Sequence, residues 1–257
     1  MNPKKNYIAF RTIVDKDIKR ILRIWIQTLL PSAITMTLYF VIFGQFIGSQ
    51  VRDINGFSYM EFIIPGIVMM AVITNSFMNV VSSFFFIKFQ RSIEEILVSP
   101  TPNWVILTGH ITGGVFRGLL VGIIVLAISL FFTSLQIHSL IIIIVFILLT
   151  SIVFSLGGFL NAVYAKKIDQ INIIPVFVLT PLTYLGGVFY SIKVLPEFWQ
   201  ALSLLNPILY MVNGFRFGFL GISDINIWIG FWMLVSFTIV LFYINLYLLK
   251  KGVGIKS

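Results

Sequence analysis

Few side chains in this 257-residue chain could carry covalent chemistry. Cysteine is absent, which removes a thiol nucleophile, a disulfide framework and a thiolate metal site. The two histidines, His110 and His138, have no Cys, Asp or Glu at ligand spacing. No G-x-S-x-G elbow occurs. Gly109 to Gly114 begins like a phosphate-binding loop, but Val115 follows where a lysine is required. The expectation is therefore no catalytic residue, no metal ligand and no ATP site on this chain.

The one pair of adjacent carboxylates, Glu94 and Glu95, lies in KFQRSIEEILVSPTPNW, Lys88 to Trp104, between two long apolar runs. A segment this polar must face water. Ser92 and Glu95 match the S-x-x-E capping box, which satisfies free amides at a helix start. Both glutamates then fall in the first turn, where the helix dipole favours negative charge. Pro100 restricts Ser99 and ends the helix after about two turns. Ile93, Ile96 and Leu97 share one face of it. Such a helix is either a solvated turn between spans or a docking knob for a soluble partner.

The elements around this stretch are set by composition. The chain is 58% hydrophobic, with a mean hydropathy of +1.01, which marks a polytopic membrane protein. Residues 4–23 form a basic amphipathic helix with Tyr7, Phe10, Val14, Ile18, Ile21 and Trp25 along one stripe. Lys4, Lys5, Arg11, Lys16, Lys19, Arg20 and Arg23 lie off that stripe, so the helix should rest on a membrane surface, either as an anchor alone or also gripping a cytoplasmic partner. Spans are expected at 24–48, 60–87, 106–132, 139–163, 171–190 and 226–249, each near the 20 residues a crossing needs. Pro175 and Pro181 should kink the fifth. Without a cleavable signal, the first span should act as an anchor.

Charge placement orients these spans. Lys and Arg cluster in residues 1–23, 88–104, 164–170 and 250–257, whereas the opposite side has only Arg52, Lys193 and Arg216. The positive-inside rule then puts both termini in the cytoplasm, so the number of spans is even. Such charge placement also argues against a nucleic-acid partner, despite a net charge of +9. The apolar stretch LNPILYMVNGFRFGFLG cannot be a seventh span on this parity. Within 191–225 it should form a re-entrant or interfacial hairpin in the outer leaflet, covered by protein or lining a wet cavity. The fold class expected is an all-α membrane protein. It has six transmembrane helices, an N-terminal amphipathic interface helix (1–23), a transmembrane domain (24–252) and a short tail (253–257).

Inside the membrane, Thr28, Ser32, Thr35 and Tyr39 share one face of the first span. Asn75, Asn79, Ser82 and Ser83 share one face of the second. Stripes like these either bond neighbouring helices or line a route for a polar or amphipathic substrate. Gly114, Gly118 and Gly122 form a small-residue ridge for close packing. Arg117, on the same span, either snorkels to the interface or serves a substrate or gate. A secondary carrier would bury a carboxylate at mid-membrane, and Glu61 lies no deeper than the outer edge of its span. A carrier or channel that needs no ATPase remains the rival reading; no nucleophile–base or metal constellation supports an enzyme.

Three segments resemble ABC-2 type export permeases. Asn206-Pro207-Ile208-Leu209-Tyr210 with Arg216 and Gly221 is similar to their NP-x-x-Y…R…G signature, Gly186 to Trp199 resembles the link preceding it, and Phe89 to Pro102 resembles their first cytoplasmic loop. The likeness runs from about Arg23 to Gly252 and is strongest for YadH-like bacterial inner-membrane permeases. It implies a half-transporter that pairs with a second copy and docks a separate ATP-binding cassette subunit, which would hold ATP and Mg. The implied coupling residues are Arg91, Ser92, Ile93, Glu94, Glu95, Ile96 and Leu97. The candidate route residues remain Thr28, Ser32, Thr35, Tyr39, Asn75, Asn79, Ser82 and Arg117. The hairpin, by the same resemblance, would cap the outer end of that route.

Overall fold

A computed structural model describes residues 3–51, 53–54, 56–90, 92 and 100–254. The described residues fold as helices, with one isolated bridge between Ile54 and Phe57. Five of these helices are long and apolar enough to cross a membrane. The first helix, α1 (Pro3–Arg23), leads straight into α2 (Trp25–Gln50). Then come α3 (Tyr59–Phe89), α4 (Asn103–Ser129) and α5 (Leu140–Tyr164). A shorter apolar helix follows, α6 (Ile168–Tyr184). The hairpin helices are α7 (Glu197–Leu204) and α8 (Pro207–Leu220), and α9 (Ile227–Lys251) ends the fold.

The long helices lie within a few residues of the sequence expectation, because an apolar run of span length has few other solutions. The fifth expected span, 171–190, differs. Its helix stops at Tyr184, and wide turns occupy Pro175–Leu179. Pro175 and Pro181 each remove a backbone donor, and Gly187 turns the chain with φ +69°. As α6 is about 25 Å long at 1.5 Å per residue, it falls short of a 30 Å hydrocarbon core. At 8 and 14 residues, α7 and α8 are too short to cross.

The core packs around α3, 89% of whose apolar stretch is buried. Its start is a capping box: Ser58 accepts from the Glu61 amide, and Glu61 accepts from the Ser58 amide at 2.9 Å. Here is the S-x-x-E signature again, at a site the sequence reading passed over. Helices α4, α5 and α8 enclose α3. The α4 ridge of Gly114, Gly118 and Gly122 faces Ser155 on α5 and Ser76 and Val72 on α3, so side chains there would collide. In contrast, α2 and α9 turn most of their apolar surface outward.

Candidate functional site

The polar residues collect in three places along α3. The first is where α1 docks. Its inward face carries Phe10, Ile13, Asp17 and Ile21, at three- and four-residue steps. Asp17 is only 3% exposed. The Ser83 hydroxyl donates to Asp17 Oδ1 at 2.6 Å, and His110 Nδ1 lies 3.5 Å from Asp17 Oδ2. Ser83 Oγ is also 3.3 Å from His110 Nδ1. Close approach is possible because position 113 is glycine; a Cβ there would lie 2.6 Å from Asp17 Oδ2. Burial pushes the Asp17 carboxyl up, but His110, Arg20 and Ser83 together outweigh it and hold it below the ordinary 3.8.

Arg20 extends this network. Its Nη2 donates to Asn79 Oδ1 at 3.0 Å, and its Nη1 donates to Ser82 Oγ at 3.4 Å. Asp17 Oδ1 is 3.7 Å away. A helix expected to rest on a membrane surface is also bonded into the helix bundle, through a cation that lies off the apolar stripe. Two of the candidate route residues, Asn79 and Ser82, are the partners that hold it. Asp17 was missed because a carboxylate interrupts an apolar stripe. The signal available was its place between Ile13 and Ile21, where a carboxylate needs a buried partner.

The second place is a cleft of about 370 Å³ between α2, α3 and α6. Thr35, Tyr39, Met70, Thr74, Thr183 and Tyr184 help to line it, and no described lining residue is charged. The Tyr39 and Tyr184 hydroxyls meet at 2.7 Å and join α2 to α6. Thr35 and Tyr39 are thus brought into the cleft. Ser32 and Asn75 bond to each other instead, with Asn75 Nδ2 donating to Ser32 Oγ at 3.1 Å. Thr28 offers its carbonyl to Arg117 Nη2 at 3.2 Å, beside the break that Pro31 makes in α2.

The third place is the hairpin. Arg216 is 1% exposed. Its Nη2 donates to Gly187 O at 2.6 Å and Val188 O at 3.3 Å, and its Nε to Phe62 O at 3.2 Å. The guanidinium lies 3.8 Å from the centre of the Phe62 ring. Asn206 caps α8 by accepting from the Ile208 amide, with Pro207 in the first turn. Asn206 Nδ2 also donates to Leu182 O at 2.6 Å. Tyr210 donates to Leu204 O at 2.9 Å, tying α8 to the end of α7. Gly221 ends α8 at φ +70°, against the His138 ring.

Arg91, Ile93, Glu94, Glu95, Ile96 and Leu97 lie outside the described residues. Ser92 is described, half-buried in a turn. No group of three or more His, Cys, Asp or Glu able to hold a metal occurs among the described residues.

A family described as ABC-2 type transporter matches residues 8–220. The inner membrane transport permease YadH of Escherichia coli K12 is 56% identical over 251 residues, covering 98% of each chain. Nodulation protein J of Rhizobium meliloti is 22% identical, over 96% of this chain and 91% of its own.

Proposed function

This chain belongs to the ABC-2 type transporter family, and on that premise we propose that it is the permease half of an exporter driven by a separate ATP-binding cassette ATPase. Its relative in Escherichia coli is an inner membrane permease, and we place this chain likewise as a multi-pass protein of the bacterial inner membrane. Both termini face the cytoplasm, on the positive-inside argument. Six crossings follow if α6, helped by its neighbours, counts with the five longer helices. The α7–α8 hairpin then lies in the outer leaflet. ATP and Mg belong to the partner subunit. The stretch Arg91 to Leu97 is its docking knob, and a second copy of the permease completes the route.

The observation that carries this reading is the uncharged cleft between α2, α3 and α6, with hydroxyls and methionines on its walls. Such a surface suits an amphipathic substrate, such as a lipid-linked or drug-like molecule, with apolar area and neutral polar groups. The two tyrosines close the cleft by a bond that the movement of α2 against α6 would break.

Reconstitution with the cognate ATPase tests the proposal. Glu94→Lys/Glu95→Lys should uncouple ATP hydrolysis from the permease, and Tyr39→Phe should alter transport without abolishing docking. Ion-gradient transport by the chain alone in liposomes would favour the secondary-carrier reading instead.

A further inference from the structure

We propose that one face of α1 is a binding site for the phosphate headgroup of an anionic membrane lipid. The inference rests on the membrane placement above but not on transport. Three faces divide α1. Phe10, Ile13, Asp17 and Ile21 turn inward, and Tyr7 and Leu22 are exposed and apolar. The third face forms a groove of about 670 Å³, lined by Lys16, Lys19, Arg20 and Arg23 with Asp15 and Thr12 at one end.

The charges in this groove are not matched from within. Asp15 is paired with Arg11 at 3.4 Å. Arg20 is directed inward to Asn79 and Asp17. Lys16, Lys19 and Arg23 are exposed and face no described carboxylate within ion-pair distance. Three cations at successive turns of one helix present donors over a length that suits a phosphodiester.

Their depth selects the source of the phosphate. Arg23 stands two residues before Trp25, where α2 begins. Leu22, Trp25 and Ile26 are exposed apolar side chains at that junction. Such residues belong at the boundary between hydrocarbon and headgroups. The groove beside them is therefore at headgroup level, where each juxtamembrane cation attracts anionic lipid. The Asp17 contacts hold α1 against the bundle, so the groove is presented in one orientation and its ordering cost is already met.

The test is lipid retention. Full-length protein is reconstituted in phosphatidylcholine vesicles containing phosphatidylglycerol, re-extracted in mild detergent, and its bound lipid is counted by native mass spectrometry. Lys16→Gln/Lys19→Gln/Arg23→Gln should retain about tenfold less phosphatidylglycerol than wild type. A control that loses as much charge elsewhere, Lys166→Gln/Lys167→Gln/Lys250→Gln, should retain it fully. Equal losses in both variants, no loss in either, or equal retention of phosphatidylcholine and phosphatidylglycerol by wild type would overturn the proposal. A groove variant that keeps its lipid but no longer copurifies with the ATPase would give the face to the soluble subunit, and would overturn the lipid assignment equally. Matched thermal unfolding of the variants shows that the fold is intact.

Discussion

Two arginines bracket α3, Arg20 half-buried and Arg216 fully buried, and they are held in opposite ways. Arg20 comes from a helix outside the bundle and meets Asn79, Ser82 and Asp17. Arg216 comes from within the fold and meets three backbone carbonyls and a ring. Their anchor points on α3, Asn79 and Phe62, are about 26 Å apart along the helix. Around Arg20 the partners are the Asn79 and Ser82 side chains, the Asn79 carbonyl and one acid, Asp17, so one partner titrates and a shift of α1 would part Arg20 from those on α3. Around Arg216 the partners are main-chain oxygens that have no second protonation state. One end is a joint between separable parts; the other is a fixed seam. The proposed coupling to a soluble subunit would use both, since motion at one end requires a fulcrum at the other.

The difference can be broken from either side. Arg216→Met should have the largest effect, about 3 kcal/mol or more of global stability, because the Gly187 and Val188 carbonyls lose a buried donor. Thermal unfolding in detergent should show one transition moved to lower temperature. Asp17→Ala should cost about 2 kcal/mol and act locally, leaving His110 and Arg20 without their acid. Limited proteolysis should then cut α1 near Lys19 while the remaining core stays protected. If Asp17→Ala instead lowers the whole transition as Arg216→Met does, the joint is as much a seam as the hairpin. Gly113→Ala should release α1 more weakly, by about 1 kcal/mol, since its Cβ crowds Asp17.

The smallest expected effect is one of pH. Asp17 has a folded-state pKa below 3.8, so its contribution is complete above that value and fades as pH falls through the lower folded value. Wild type should be more stable than Asp17→Asn at neutral pH. The gap should narrow only below about pH 3.8, as followed by α1 protease sensitivity. A gap that closes nearer neutrality would assign the joint to a different titrating group.

Five of the six expected spans were legible because length and hydropathy alone decide them; 171–190 was not, because its prolines shorten the helix. The segment after 190 was legible as holding no helix of span length, although Gly214 and Arg216, read as breaks, lie inside one continuous helix that starts at Pro207. Residue-level roles were less so. From the sequence, Asn75 and Asn79 are the same residue type on one stripe, yet one binds Ser32 and the other Arg20. Which partner arrives depends on how α1 and α2 are placed, a tertiary fact with no local signal. Arg216 was flagged by its motif, but not that carbonyls would hold it. Asp17 escaped because periodicity weighs apolar residues and passes over a single acid among them.

One consequence of the burial of α3 concerns biogenesis. Asn75, Asn79 and Ser83 would be poorly hosted by bare lipid, and their hydrogen-bond partners Ser32, Arg20, Asp17 and His110 are on segments made both before and after this one. The nascent chain therefore cannot finish the second segment when it is synthesised. That segment is completed only once α4 emerges with His110 and α1 docks with Asp17 and Arg20. Truncations ending before α4 should accumulate as substrates for membrane proteases, even though every segment they contain is apolar enough to insert.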